Sequence, residues 1–130
     1  MRLYLVRHAE AAPGKPDELR PLTSRGRRDA RALGRRLHEQ GVHVDAVLSS
    51  PILRARETAA AIAEELGVEA EAVEALGPGA TDADVVAAIE GRGATIVAVA
   101  HQPDCGRITA ALGGGPEPPF PPGGVAVLDL

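Results

Sequence analysis

The 130-residue sequence is poor in cysteine and in aromatic residues, with one cysteine, no tryptophan, and Tyr4 and Phe120 as its aromatic side chains. A single cysteine, Cys105, excludes an intramolecular disulfide and a thiolate zinc cage, and it suits reducing surroundings. Phosphatases that use a cysteine thiolate need an arginine six positions later. Residue 111 is alanine, so that mechanism is excluded.

Long apolar runs are also absent. The apolar stretch after Arg2 runs straight into charged residues and is too short for a signal peptide core or a membrane span. We therefore expect a cytoplasmic protein without a membrane partner. No Walker-type glycine motif, His-x-x-x-His pair or carboxylate cluster occurs, so we expect neither a metal nor another cofactor.

The charges are distributed unevenly along the chain. The net charge is -4, yet residues 1–56 hold 12 of the 14 Lys and Arg residues and only 6 of the 18 acidic residues. These arginines are not interleaved with aromatic residues, and the isoelectric point near 5.5 argues against a nucleic acid partner. The asymmetry favours an anion-binding pocket built mainly by the first half of the chain.

Strand patterns alternate with helix patterns along the sequence, which is long enough for one domain, residues 1–130. The segment 68–76 suits either an exposed strand or a helix, and we take it as a weak strand. The alternation predicts a three-layer α/β/α sandwich with a mostly parallel central sheet and helices on both faces. Strands are predicted at 3–6, 45–49, 68–76, 95–100 and 125–130, and helices between Thr23 and Gly41, from Pro51 to Leu66, at 82–90 and at 103–112.

Four basic side chains follow the predicted buried strands. Arg7 and His8 end the first strand, His101 ends the strand at 95–100, and Arg54 lies in the first turn of the helix after the second strand. The carboxyl ends of parallel strands meet at one edge of a sheet, so these side chains are expected to converge. Guanidinium groups and helix N–H groups are suited to a phosphate dianion.

The motifs around these residues resemble the histidine phosphatase superfamily, also called phosphoglycerate mutase-like. They occur in the order typical of that family across residues 2–103, which makes the combination far more specific than an Arg-His pair alone. The matching motifs are Leu5-Val6-Arg7-His8-Ala9-Glu10, Leu22-Thr23-x-x-Gly26-x-x-x-Ala30, Ser49-Ser50-Pro51-x-x-Arg54-Ala55-x-x-Thr58 and Ala100-His101.

The resemblance implies that His8 is the nucleophile and forms a phosphohistidine intermediate, while Arg7, Arg54 and His101 bind the phosphoryl oxygens. To attack phosphorus, His8 must be neutral, with one ring nitrogen donating to a carbonyl or carboxylate and the other bare. Neighbouring cations are expected to lower the pKa of His8. We expect His101 to be protonated, so that it offsets transition-state charge together with the arginines.

Several positions leave alternatives open. Ala9 replaces the usual glycine of the first motif, so we expect an ordinary negative φ there. Glu10 either orients a catalytic group in the substrate site or is a loop carboxylate, and Arg20 either borders the pocket or lies on the surface. Glu74 is the nearest candidate for the acid that protonates the leaving group, but its surroundings do not match the family's acid motif.

A site without that acid favours P–N bonds, because the conjugate acid of a leaving imidazole has a pKa of about 6.5, whereas an alkoxide leaves badly without a proton. Three further features resemble SixA-type phosphohistidine phosphatases. They are the Arg-Pro-Leu-Thr segment from Arg20, the short middle region and the proline-rich stretch before the last strand. The sequence therefore predicts a phosphatase that acts on a protein phosphohistidine. Two alternatives remain, a phosphomonoesterase for a small phosphate ester, with Glu74 or water as the acid, and a catalytically idle phospho-ligand binding module.

Overall fold

A computed structural model describes residues 1–130 as five strands and four α-helices. None of these helices is long and apolar enough to cross a membrane. The elements are β1 (Arg2–Arg7), α1 (Ser24–Glu39), β2 (Ala46–Ser49), α2 (Leu53–Leu66), β3 (Ala70–Ala72), α3 (Asp82–Ile89), β4 (Thr95–Ala100), α4 (Asp104–Gly113) and β5 (Val125–Asp129), with 3-10 turns at Asp17–Leu19 and Glu74–Leu76.

The five strands form one sheet in the order β3-β2-β4-β1-β5. All neighbouring pairs are parallel except β5, which runs antiparallel to β1 at one edge. The central strands β1 and β4 are apolar almost throughout, as strands covered on both faces must be. The predicted α/β class with a mostly parallel sheet is therefore confirmed.

Two separate cores cover the two faces of this sheet. On one face α1 and α2 pack on alternate residues of the strands, with Leu33, Leu37 and Ile62 among the buried contacts. On the other face α3 and α4 contribute residues such as Val85 and Ile108. Because successive side chains of a strand point to opposite faces, the continuous apolar runs supply both cores at once, and three layers result.

The ends of the first two helices follow the expected local signals. The Thr23 side chain accepts a hydrogen bond from the Gly26 N–H at 3.0 Å and caps α1. Gly67 ends α2 in the left-handed conformation with φ of 71°, which glycine adopts at little cost. A Cβ atom on Gly34 would lie 2.9 Å from the Glu65 Cβ atom, so glycine allows α1 to approach α2 closely.

Two predicted boundaries were wrong. Helix α2 begins at Leu53 and not at Pro51, because the Ser50 hydroxyl accepts the Ile52 N–H at 3.2 Å and holds Ser50 to Ile52 in a turn. The strand predicted at 68–76 is reduced to the three exposed residues of β3. Fully buried Leu76 draws the chain into a 3-10 turn instead, and that burial outweighs further pairing at the edge of the sheet.

Candidate active site

The two histidines lie next to each other at the carboxyl edge of the sheet. β1 and β4 are adjacent, with Arg7 paired to Ala100, so the residues that follow each strand are neighbours. The His8 and His101 rings have centroids 5.4 Å apart at an interplanar angle of 56°. Both side chains are buried, with 8% and 4% of their surface exposed. The structure thus brings together two histidines that are far apart in sequence.

The tautomer of His8 follows from a single contact. Its Nδ1 atom lies 2.8 Å from the carbonyl oxygen of Ala9. A carbonyl oxygen can only accept a hydrogen bond, so Nδ1 carries the proton and Nε2 keeps its lone pair. No residue other than glycine has a positive φ, so the expected ordinary backbone at Ala9 is confirmed. His8 therefore has the form that a nucleophile at phosphorus requires.

Burial lowers the pKa of His8, and it does so more than any neighbouring charge. The hydrogen bond to Ala9 acts in the opposite direction, while the positive charges of Arg54, Arg7 and Arg20 lower the pKa further. The predicted direction is confirmed, although burial rather than the cations is the larger cause. The neutral form of His8 is favoured at neutral pH.

Thr58 connects the His8 loop to the helix that carries Arg54. Its hydroxyl oxygen accepts the Ala9 N–H at 3.0 Å, and the hydroxyl donates to the Arg54 carbonyl at 2.8 Å. The side chain is completely buried. Thr58 is the last residue of the motif that begins at Ser49, but that motif does not indicate a contact with Ala9. Thr58 fixes the N–H of Ala9, the residue whose carbonyl orients His8.

The expectation that His101 is protonated was wrong for the free protein. Burial, followed by the neighbouring His8 and Arg54, lowers the pKa of His101 to about 4. Its Nε2 atom lies 2.8 Å from the Ser50 hydroxyl oxygen. That hydroxyl already accepts the Ile52 N–H, and its own proton has no acceptor within hydrogen-bond distance other than His101. The Ser50 hydroxyl therefore donates to Nε2, and Nδ1 of His101 carries the proton.

The guanidinium groups of the site are held by main-chain carbonyls. Arg7 donates from Nη1 to the Phe120 carbonyl at 2.9 Å. Arg54 donates from Nη1 to the Asp17 carbonyl at 3.0 Å and from Nη2 to the Asp17 carboxylate at 3.2 Å. The other Asp17 carboxylate oxygen lies 3.4 Å from Nη1 of Arg20. Arg20 thus borders the pocket, as one of its two interpretations required.

Nitrogen atoms without a protein partner are concentrated in this site. Five buried side-chain polar atoms in the chain make no hydrogen bond, and four of them belong to the cluster around His8. Buried donors are almost always paired in folded proteins, so this concentration indicates a place for an anion. The four atoms are Nε of Arg7, Arg20 and Arg54, and Nδ1 of His101.

The two predicted carboxylates lie elsewhere. Glu10 accepts a hydrogen bond from the Thr23 hydroxyl at 2.8 Å, so it fastens the start of α1, as a loop carboxylate would. Glu74 is exposed on the 3-10 turn after β3, and its side chain makes no hydrogen bond or ion pair. Sequence reasoning missed Asp17, because its loop has no periodicity and its partner Arg54 is 37 residues away.

Much of the basic charge of the first half lies outside the pocket. Helix α1 carries six exposed arginines, and three of these, Arg28, Arg31 and Arg36, make no ion pair. Only Arg7, Arg20 and Arg54 act on His8. The charge asymmetry thus has two origins, the arginines around His8 and a basic helix face. No group of three or more His, Cys, Asp or Glu residues could hold a metal ion.

Comparison with known proteins finds relatives that are histidine phosphatases. A sequence profile described as histidine phosphatase superfamily (branch 1) matches residues 3–77. The phosphohistidine phosphatase SixA of Escherichia coli strain K12 is 32% identical over 127 residues, which are 92% of this chain and 79% of that protein. The structure of a protein histidine phosphatase SixA complexed with tungstate superposes with a TM-score of 0.90 at 30% identity, covering all of this chain and 88% of that one.

A second relative matches only about half of the chain. The mitochondrial serine/threonine-protein phosphatase Pgam5 of Drosophila mojavensis is 45% identical over 65 residues. That match covers 49% of this chain and 22% of the Drosophila protein. The shared part is too short to carry the activity of the whole Drosophila protein across to this chain.

Proposed function

Because the chain belongs to the histidine phosphatase superfamily and is a phosphatase of that type, we propose that it removes the phosphoryl group from a protein phosphohistidine through phospho-His8. The observation that carries this proposal is the state of His8, a buried imidazole with a bare Nε2 atom beside four buried nitrogen donors that lack protein partners. This arrangement presents one nucleophile and several cationic or N–H groups to a tetrahedral oxyanion.

In the first step Nε2 of His8 attacks phosphorus in line with the bond to the leaving group. The P–N bond of the substrate breaks, and its electron pair goes to the departing imidazole. Arg7, Arg54 and Nδ1–H of His101 hold the phosphoryl oxygens. The proton on Nδ1 of His8 donates to the Ala9 carbonyl and stabilises the positive charge that develops on the ring.

In the second step water attacks the phosphorus of phospho-His8. The electron pair of the P–Nε2 bond returns to His8, and the proton from water leaves with phosphate or solvent. The likeness to SixA proteins, one of them described with the tetrahedral oxyanion tungstate, supports phosphoryl chemistry at this site. The exposed position of Glu74, without any contact to hold it, supports a leaving group that needs no strong acid.

A protein substrate is supported by the surface beside the site. Glu10, two residues after His8, is fastened to Thr23 at the start of α1, so the basic face of this helix begins near the pocket. An acidic protein that docked on that face would be attracted by its unpaired arginines. Phosphate ester hydrolysis is the second candidate, because a neutral His8 beside several nitrogen donors can also attack the phosphorus of an ester.

Phosphoenzyme trapping tests this proposal. The chain is incubated with a 32P-labelled phosphohistidine protein and quenched in alkali, where phosphohistidine survives. We expect label on the wild type and none on His8→Ala. The control is His38→Ala, because His38 is an exposed histidine on α1 and should leave labelling intact.

Kinetics then separate the candidate functions. Higher kcat/KM on phosphohistidine proteins than on a panel of phosphate esters supports the proposal. Strong ester turnover that collapses in Glu74→Ala would make the protein a phosphomonoesterase with Glu74 as its acid. A wild type that neither labels nor turns over any substrate would instead be a phospho-ligand binding module.

A further inference from the structure

Asp17 is the carboxylate that contacts the arginines of the site directly. It lies at the start of the 3-10 turn Asp17–Leu19, and its carboxylate reaches both Arg54 and Arg20. The Asp17 side chain is 64% exposed, whereas the Arg54 side chain beneath it is 11% exposed. Asp17 therefore lies on the solvent side of the guanidinium groups, and we call this side the mouth of the site.

The charge of Asp17 reaches His101 as well as the arginines. Burial, His8 and Arg54 lower the pKa of His101, and the negative charge of Asp17 acts against them. Asp104 acts in the same direction, but it is buried and bonded to the Gly79 N–H and to Arg107. Asp17 is thus the exposed carboxylate within electrostatic reach of the reacting centre.

The direction of phosphoryl transfer places the leaving group on this side. In-line displacement puts the leaving group opposite Nε2 of His8. Because His8 is buried and Asp17 is exposed beside Arg54, a leaving group that departs toward solvent leaves on the side of Asp17. The charge that develops on the leaving group decides whether a carboxylate there helps or hinders the reaction.

Phosphohistidine and phosphate esters differ in that charge. When the far ring nitrogen of phosphohistidine is protonated, the ring is cationic, and it departs as neutral imidazole after the P–N bond breaks. The proton stays on the far nitrogen throughout, and the protein supplies none. An ester instead releases an oxygen that becomes negative as the P–O bond breaks. A carboxylate at the mouth stabilises the cationic ring and opposes the anionic oxygen.

We infer that Asp17 is a specificity-determining residue that favours a protonated phosphohistidine over phosphate esters. The inference rests on the proposed function and names the group that sets its substrate class. It also explains why an exposed carboxylate contacts Arg54 and Arg20 in a phosphate site, although its negative charge by itself would weaken the binding of an anion.

The test compares two small substrates, so that docking of a protein does not enter. N-phosphoimidazole has an imidazole leaving group, and p-nitrophenyl phosphate has an anionic one. In Asp17→Asn we expect kcat/KM to fall for the first and rise for the second, by roughly two- to fivefold each, the size typical of an exposed charge interaction. The ratio of the two constants should then fall about tenfold.

Two further variants serve as controls. Glu18→Gln removes the adjacent exposed charge, which has no ion pair, and should leave the ratio unchanged. Asp17→Glu keeps the charge and should retain most of the preference. Thermal unfolding of each variant checks that the fold is intact.

A purely structural role for Asp17 predicts a different result. If the residue only positions Arg54, Asp17→Asn lowers kcat/KM equally for both substrates, and the inference is overturned. An unchanged ratio overturns it as well. A wild type that turns over neither N-phosphoimidazole nor a phosphohistidine protein refutes the proposed function itself, which is a separate result from an unaltered ratio in an active enzyme.

Discussion

Replacing Thr58 with valine should weaken both the fold and the catalytic site. Valine keeps the shape of threonine but removes the hydroxyl that accepts the Ala9 N–H and donates to the Arg54 carbonyl. The Arg54 carbonyl lies within α2, where the helix can still pair it. The Ala9 N–H is buried and would lose its partner.

The size of the effect follows from that single N–H group. A buried donor without a partner costs about 1–3 kcal/mol of unfolding free energy. With about 2.1 cal/mol/K of unfolding entropy per residue, 130 residues give about 0.27 kcal/mol/K. The expected loss of Tm is therefore about 4–11 °C. Because the Ala9 carbonyl orients His8, kcat on N-phosphoimidazole should fall too.

Differential scanning calorimetry and steady-state kinetics measure the two effects. Thr58→Ser keeps the hydroxyl and should stay close to the wild type in kcat, with only a small loss of Tm for the missing methyl group. A Thr58→Val protein with unchanged Tm and kcat would show that Ala9 does not depend on this hydroxyl, and the reasoning on His8 orientation would fail with it.

Three other predictions follow from the site and its surroundings. The unfolded chain protonates His101 below pH 6.5, but the folded protein protonates it only near pH 4, so the free energy of unfolding should fall as the pH falls through this window. In urea titrations at several pH values, His101→Gln should show a weaker dependence of stability on pH. An equal dependence in both proteins would contradict the lowered pKa of His101. Changing Arg28, Arg31 and Arg36 together to glutamine should lower kcat/KM on a phosphohistidine protein at low salt by about three- to tenfold and leave N-phosphoimidazole turnover unchanged. The triple lysine variant keeps the positive charges and should keep both activities. Equal losses on both substrates would argue against docking of a protein on this helix face. Ala9→Gly should lose about 0.5–1 kcal/mol in chemical denaturation, since its φ needs no glycine, and a gain in stability would refute that reading.

The sequence was informative where a residue's role depends on its own segment. The buried strands β1 and β4 and the capped ends of α1 and α2 could be predicted, because apolar runs, Thr23 and Gly67 act locally. The convergence of His8 and His101 could be predicted as well, since parallel strands end at one edge.

Other features depended on contacts between distant segments. The start of α2 depended on the Ser50 hydroxyl, and the length of β3 on the burial of Leu76. The protonation of His101 depended on the sum of burial and the charges around it, which no linear pattern contains. Asp17 could not be assigned for the same reason, because its role depends on a contact with Arg54, which follows α1 and β2 in the chain.

The proline-rich loop before β5 gives the site an unusual dependence on the order of synthesis. The Gly123 N–H contacts the carbonyls of Arg7 and His8 at 3.1 and 3.0 Å, and the Phe120 carbonyl holds the Arg7 side chain. Strand β1 pairs only with β4 and β5, which are the last two strands of the domain in chain order. The segment that carries His8 is thus synthesised before most of the domain, and it is among the last parts of the domain to be fixed. A nascent chain without residues 120–124 would lack the groups that hold Arg7, so the pocket is assembled only when translation of the domain is nearly finished.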